Sequence, residues 1–212
     1  MKKVIFAVAL TIFLVGNCFA LRLPAVPKER CIEIYGEIRQ ENVEKIMGKF
    51  IELDKTDGDI RIYINSPGGH VVWGVPVLET LMTLHNDVQV IAFAHVSSMA
   101  LPILAIGTKG KRAITPATFS YVHQIYIEKP TPSFFPFPED EVEEWEQDRW
   151  WKERKVAKLL RKAQIYLDQI IYDHSRVTFK ELAEWDENWI YAETILKYEL
   201  ADGYYTGELR GE

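Results

Sequence analysis

The hydrophobic positions between Cys31 and Gln124 switch repeatedly between two periods. A period of two predicts strands, and a spacing of three or four residues predicts helices that bury one face. The two patterns alternate along the chain, which predicts an α/β fold with helices packed on a sheet. The predicted strands are residues 31–38, 59–65, 88–94 and 118–124, and the predicted helices are residues 41–55, 74–86 and 99–107.

A proline- and aromatic-rich segment, residues 130–151, interrupts this order. Its four prolines forbid a regular helix in its first part. Its aromatic residues either pack locally or form a contact with a partner or a membrane surface. Beyond it, apolar residues from Val156 to Ile171 recur at helical spacing and predict one long amphipathic helix. Shorter helices are predicted over residues 178–185 and 191–200.

The N-terminus has a different pattern from the rest of the chain. A basic start, an apolar run over residues 4–15 and small residues up to Ala20 are typical of a secretory signal peptide. We expect residues 1–20 to be such a signal and residues 21–212 to be a single domain. The protein is then exported, to the periplasm or outside the cell. The alternative is that these residues are an uncleaved anchor or a buried N-terminal helix. The alternative location of the protein is the cytoplasm.

Composition narrows the range of partners. The chain has 212 residues, of which 48% are hydrophobic and 26% charged, which suits one globular domain. A net charge of −6 without a Lys/Arg cluster argues against a nucleic-acid partner. The five histidines show no paired spacing with cysteines or acids, so we expect neither a metal nor another cofactor.

Three short motifs lie at the ends of predicted elements, where the active sites of α/β proteins gather. The turn Ser66–Gly69 either offers backbone N–H groups to an oxyanion or is an ordinary turn. Ser97 and Ser98 open an apolar run. A serine there is usually a helix N-cap, but it can present a nucleophile with the next N–H as an oxyanion donor. His123 ends a strand and is either a structural histidine or a general base.

The helix predicted after the two serines contains a proline close to its start. If Ser98 is the N-cap, Pro102 occupies the fourth helical position and removes one early hydrogen bond. Such a loss is tolerated near the start of a helix, and whether it tilts the helix stays open.

The motifs YINSPGG, SSMALPILAIGTKGKR and YVHQ occur in the order and spacing of a known family. On these motifs the chain resembles the proteolytic subunit of the Clp protease, the ClpP family of serine peptidases. The resemblance covers residues 31–124 and resumes over residues 173–203. It implies a ClpP/crotonase-like α/β fold, a spiral of β-α units with a long amphipathic helix after the catalytic histidine.

The resemblance also implies roles for individual residues. The family's nucleophile falls on Ser98, and its general base falls on His123. The oxyanion donors fall on the backbone N–H groups of Gly69 and Met99. These roles imply a serine endopeptidase that hydrolyses peptide bonds of unfolded or small protein substrates by a Ser-His-acid mechanism.

The family's third catalytic residue is an aspartate, and its position falls on Glu187, with Asp186 beside it. A carboxylate there would hold the imidazole tautomer and stabilise the imidazolium. Alternatively both acids face solvent, as acids usually do. The rival side chains, to which we assign structural, turn or solvent-facing roles, are Ser66, Ser97, His70 and His95.

Two departures from the family bear on partners. Where the family has a proline after His-Gln, this chain has Ile125, and a longer segment follows, which puts the usual pair of stacked seven-membered rings in doubt. We expect a polypeptide substrate and a homo-oligomer, with an ATPase unfoldase as partner only if the protein is cytosolic. The alternative functions are a catalytically inactive scaffold or binding protein, and acyl-CoA chemistry on the related crotonase fold, against which the Ser/His pair argues.

Overall fold

The structure, a computed structural model, describes residues 20–125 and 149–207, with side chains from residue 158 onwards in the second range. Most of the predicted signal peptide and of the proline- and aromatic-rich segment lies outside the described residues, so these two predictions stay predictions. Within the described ranges, no helix is long and apolar enough to cross a membrane.

The described strands form one sheet with a short ribbon attached. The strands are β1 (Ala20–Leu21), β2 (Cys31–Tyr35), β3 (Ile60–Ser66), β4 (Val88–Val96), β5 (Arg112–Ile114), β6 (Phe119–Val122), β7 (Asn188–Tyr191) and β8 (Gly203–Tyr205). Parallel pairs join them in the order β1-β8-β5-β4-β3-β2. β6 pairs with the end of β4 and forms an antiparallel ribbon with β7.

The described α-helices alternate with the strands from β2 to β5, whereas β5 and β6, and then two helices, follow one another directly. The helices are α1 (Gln40–Leu53), α2 (Val71–Thr83), α3 (Ala100–Ile106), α4 (Arg149–His174), α5 (Phe179–Trp185) and α6 (Ala192–Lys197). The predicted α/β fold, with a long helix after His123, is confirmed.

The core lies between the central strands and the helices. β3 is almost wholly buried, because helices cover one face and the N-terminal segment around Leu23 covers the other. Leu23 packs with Tyr63 and Ile91 on that second face. Burial on both faces explains why the parallel strands have nearly continuous apolar sequences.

One helix prediction was partly wrong. The predicted helix over 191–200 begins instead with strand β7, whose Ile190 pairs with Ser120 of β6. Only Ala192–Lys197 is helical, and Glu199, with a φ of +55°, lies in the left-handed region that a regular helix cannot contain. Pairing of Tyr191 with Phe119 of β6 therefore delays the start of the helix by one residue, and the left-handed backbone at Glu199 ends it early.

Candidate active site

The turns that follow β3 and β4 lie side by side at one end of the sheet. The two strands shift register after Ile64, so that Ser66 pairs with Val96. The Ser97 N–H donates to the Ser66 carbonyl at 3.1 Å, and the Gly68 N–H donates to Ser66 Oγ at 3.0 Å. The Ser-Pro-Gly-Gly turn and the serine pair are thus held in one hydrogen-bonded unit.

The two adjacent serines have different surroundings. Ser97 is 2% exposed, and its Oγ accepts a hydrogen bond from the Tyr121 N–H at 2.6 Å. The Ser98 N–H donates to the Tyr121 carbonyl at 3.0 Å, while the residue itself lines a large cleft. The Ser97 hydroxyl therefore joins β4 to β6, and Ser98 is the serine that faces the cleft.

Ser98 has a backbone conformation that few non-glycine residues adopt. Its φ is +50°, in the left-handed region. Gly68 lies directly against it, since a Cβ on Gly68 would sit 2.7 Å from Ser98 Cβ and 2.8 Å from Met99 N. Strain of this kind persists only where the surrounding structure fixes it, and it is concentrated at functional sites.

Helix α3 begins one residue later than we predicted. Met99 is its N-cap, so Ser98 precedes the cap and Pro102 is the third helical residue. The first four N–H groups of a helix have no partner within the helix. Pro102 therefore removes no helical hydrogen bond, and the predicted loss of one early bond was wrong.

Two backbone N–H groups are available beside Ser98. The Ile38 N–H donates to the Gly68 carbonyl at 2.7 Å, and the His70 N–H donates to the Ile38 carbonyl at 3.1 Å. Gly69 lies between these two bonded residues, Gly68 and His70. In a parallel pairing its own N–H then points away from Ile38. Among the described residues, neither the Gly69 nor the Met99 N–H donates to a backbone carbonyl. Both residues line the cleft, as oxyanion donors must.

His123 directly follows β6 and lines the same cleft. Its position relative to Ser98 is fixed through Tyr121, two residues earlier, which bonds to both serines. Nδ1 of His123 lies 2.7 Å from the Gln124 carbonyl oxygen. A carbonyl can only accept a hydrogen bond, so Nδ1 carries the proton and Nε2 is the basic nitrogen of the neutral ring.

The two candidate acids lie in different places. Asp186 ends α5, lines the cleft, and accepts a hydrogen bond at Oδ1 from the Gln124 N–H at 2.8 Å. Glu187, with a φ of +58°, is exposed and does not line the cleft. The structure therefore brings Asp186, and not Glu187, to the segment that carries His123.

A third acid, which the sequence reasoning missed, lies in the same cleft. Asp168 of α4 accepts a hydrogen bond from Gln164 Nε2 at 2.7 Å, and Gln164 Oε1 accepts one from the Ile125 N–H at 2.7 Å. The pKa of the Asp168 carboxyl is raised, chiefly by burial and also by the nearby Asp186 charge, while the hydrogen bond from Gln164 acts in the opposite direction. The available signal was the spacing of Gln164 and Asp168, which puts both on the buried face with Leu167.

The cleft itself has a volume of about 1190 Å³ and mostly apolar walls. Helices α2, α3 and α4 supply most of these walls, with Val75, Leu101 and Leu167 among the lining residues. Its acidic lining residues are Glu37, Asp168 and Asp186, and no lysine or arginine of the described residues lines it. The cleft is therefore apolar and acidic.

The two rival histidines occupy separate positions. His70 lines the cleft, and its Nε2 lies 3.8 Å from a carboxylate oxygen of Glu37. His95 does not line the cleft, and its ring stacks on Phe119 with a centroid separation of 4.9 Å. Burial lowers the pKa of His95. His70 therefore lies at the cleft, and His95 packs against an aromatic ring outside it.

Comparison with known proteins matches the part of the chain that carries Gly69, Ser98 and His123, but not the part that carries the two cleft acids of the C-terminal half. A family model described as Clp protease matches residues 21–130, which is more than half of the chain. One curated relative, the ATP-dependent Clp protease proteolytic subunit 1 of Leifsonia xyli subsp. xyli, is 38% identical over 99 residues. That alignment covers 46% of this chain and 50% of the relative, so the chain spans about half the length of the curated relative it matches.

Proposed function

This chain belongs to the Clp protease family, and from that premise we propose that it is a serine endopeptidase acting on unfolded or small protein substrates. One observation carries the proposal. Ser98, held at a φ of +50° against Gly68, shares a cleft with His123 and with the backbone N–H groups of Gly69 and Met99. A nucleophile, a base and two oxyanion donors are the groups that acyl transfer requires.

In this mechanism Ser98 Oγ attacks the carbonyl carbon of the scissile peptide bond. His123 Nε2 takes the hydroxyl proton and then gives it to the leaving amine. The N–H groups of Gly69 and Met99 stabilise the negative oxygen of the tetrahedral intermediate. Water then attacks the acyl-enzyme with the same base, which releases the second product and restores Ser98.

Asp186 orients the general base through the backbone of Gln124. Its carboxylate holds the N–H of Gln124, and the carbonyl of that same residue faces Nδ1 of His123. Of Asp186 and Glu187 only Asp186 lines the cleft, so we assign to Asp186, rather than to Glu187, the part of the third role that orients the His123 ring. The carboxylate acts on the backbone that orients the ring.

The walls of the cleft favour one class of substrate. Unfolded chains expose the apolar side chains that folded proteins bury, and such side chains suit the apolar walls of α2, α3 and α4. The acidic lining residues favour segments without a high negative charge. Unfolded or small polypeptides are therefore the proposed substrates.

Covalent labelling of the nucleophile tests this function directly. We expect a serine-reactive fluorophosphonate probe to label the folded protein, and Ser98→Ala to abolish the label. Ser175→Ala is the matched control, because Ser175 lies outside the cleft lining and bonds to the Ile171 carbonyl at 2.6 Å. Labelling should persist in that variant, and peptide mapping should place the label on residue 98.

The labelling is best run on species separated by size, since we also propose that the protein is a homo-oligomer. The name of the Leifsonia relative describes an ATP-dependent subunit, and an ATPase unfoldase is a partner of this chain only if it stays in the cytosol. If the protein is folded but the fluorophosphonate probe labels none of its oligomeric forms, the proposed peptidase activity is contradicted and the inactive scaffold is favoured.

A further inference from the structure

A line of hydrogen-bonding groups connects His123 to Asp168. Nδ1 of His123 lies 2.7 Å from the carbonyl oxygen of Gln124. The N–H of the same peptide group, which belongs to Ile125, donates to Gln164 Oε1 at 2.7 Å. Gln164 Nε2 donates in turn to Asp168 Oδ1 at 2.7 Å. One peptide group and one side-chain amide thus separate the imidazole from a carboxylate.

Every hydrogen bond along this line points the same way. A carbonyl oxygen can only accept and a side-chain amide nitrogen can only donate, so Nδ1 and Gln164 Nε2 are the donors. Amide groups bonded in series polarise one another, which strengthens each bond. The charge on Asp168 therefore favours a proton on Nδ1 of His123 and leaves Nε2 as the base. No proton moves along the line; it only orients and polarises.

The residue at position 125 is essential to the line. Proline has no backbone N–H, so a proline here would leave Gln164 Oε1 without its donor. Isoleucine supplies that donor, and Gln164 accepts it from one turn above Asp168 on α4.

The other two acids near His123 do not lie on this line. Asp186 accepts from the Gln124 N–H, which belongs to the preceding peptide group. Glu187 is exposed and does not line the cleft. Asp168 is therefore the carboxylate that accepts the last hydrogen bond of the line that begins at Nδ1 of His123.

We propose that Asp168 sets the tautomer of His123 through the hydrogen-bonded line that Gln164 completes. Gln164 and Asp168 are positioning residues, because they act through the backbone and not on the reacting atoms. The catalytic consequence rests on the proposed function, whereas the tautomer of the imidazole can be measured in a protein without activity.

The test is Asp168→Asn, which removes the charge but keeps an oxygen that can accept from Gln164. Nitrogen-15 NMR of the histidine side chains reports which ring nitrogen of His123 carries the proton. The rate of fluorophosphonate labelling reports the basicity of Nε2. We expect a larger share of the Nε2–H tautomer and a labelling rate lower by on the order of tenfold, the worth of one charge-assisted hydrogen bond.

A matched control exists on the same helix. Asp173 accepts from Gln169 Nε2 at 2.7 Å with the same spacing, but neither residue lines the cleft. Asp173→Asn should change neither the tautomer nor the labelling rate. Gln164→Leu, which cuts the line in the middle, should reproduce the effect of Asp168→Asn, and circular dichroism should show both variants folded.

The outcomes separate this inference from the proposed function. If the wild-type protein is not labelled, but the His123 tautomer shifts in Asp168→Asn, the proposed peptidase activity is refuted and the proposed role of Asp168 is supported. A labelled wild-type protein whose tautomer and labelling rate are unchanged in the folded Asp168→Asn variant would overturn the inference and leave the peptidase intact.

Discussion

At the scale of the residue, Gly68 and Ser98 are adapted to one another. Gly68 has a φ of +97° and Ser98 one of +50°, and no room exists between them for a Cβ on residue 68. Ser98 tolerates its conformation because Tyr121 and Gly68 fix the backbone on two sides. The absence of a side chain at residue 68 is therefore a condition for the position of the hydroxyl.

This fit predicts the effect of Gly68→Ala. The new Cβ would press on Ser98 Cβ and Met99 N, and it would have to adopt a left-handed φ. We expect the free energy of unfolding to fall by about 1–3 kcal/mol. Fluorophosphonate labelling should fall further than stability explains, because the nucleophile and an oxyanion donor move. Urea unfolding and labelling kinetics measure the two effects.

Gly48 in the middle of α1 provides the control. It has ordinary space around it, with no heavy atom within 4 Å of an added Cβ. Gly48→Ala should therefore raise the free energy of unfolding by about 0.5–1 kcal/mol, because alanine loses less backbone entropy in a helix. Equal stability and labelling of Gly68→Ala and the wild type would contradict this account of the site.

The sequence could identify Ser98 and His123 as candidates, because both lie in short motifs at element ends. It could not distinguish Asp186 from Glu187, which are adjacent in the chain. The left-handed φ of Glu187 directs the chain into β7, and only the fold shows which carboxylate then reaches Gln124. Asp168 was missed because Ile125, whose N–H donates to the Gln164 side chain that Asp168 holds, is far away in the sequence.

At the scale of the element, Arg112 in the GTKGKR motif joins four parts of the fold. It is 1% exposed on β5 and bonds to Asp202 before β8 at 2.6 and 3.0 Å. Its Nη1 also donates to the carbonyl of Ala105 at 3.0 Å and to that of His174 at 2.6 Å, at the ends of α3 and α4. The helix that begins beside Ser98 and the helix that carries Asp168 are thus tied to one buried cation.

Asp202→Asn tests this junction. The substitution leaves the Arg112 guanidinium buried without its counter-charge, and breaking such a pair from one side costs about 3–5 kcal/mol. We expect urea unfolding to show a loss of that order. Glu184→Gln, which removes the exposed pair of Lys180 and Glu184 on α5, should change stability by less than about 0.5 kcal/mol. Comparable losses in the two variants would contradict the proposed role of Arg112.

Elements that are periodic and long were predictable, and elements defined by pairing were not. The period of α1 and the apolar runs of β3 and β4 follow from local pattern alone. The short strands β1, β7 and β8 have two to four residues each. Their sequences have no distinctive period, so only their partners in the sheet define them.

At the scale of the whole molecule, the predicted signal peptide meets the fold at β1. Ala20 pairs with Tyr204 and Leu21 with Tyr205, and the Thr206 N–H donates to the Leu21 carbonyl at 3.2 Å. Cleavage after Ala20 would remove one pair of this two-residue strand and keep the other. The core cluster around Leu23 lies beyond the cleavage site, so the processed chain retains what it needs to fold.

We therefore expect the processed protein to be folded and to be found outside the cytoplasm. Fractionation of cells and intact-mass measurement should show a chain that begins at Leu21, because the basic start and apolar run direct export and the small Ala20 permits cleavage. Ala20→Tyr is the informative variant, since a bulky side chain at the cleavage site should block processing and leave the protein attached at the membrane. Full-length protein in the cytosol would refute the signal and restore an ATPase partner to the proposal, because the compartment then supplies ATP.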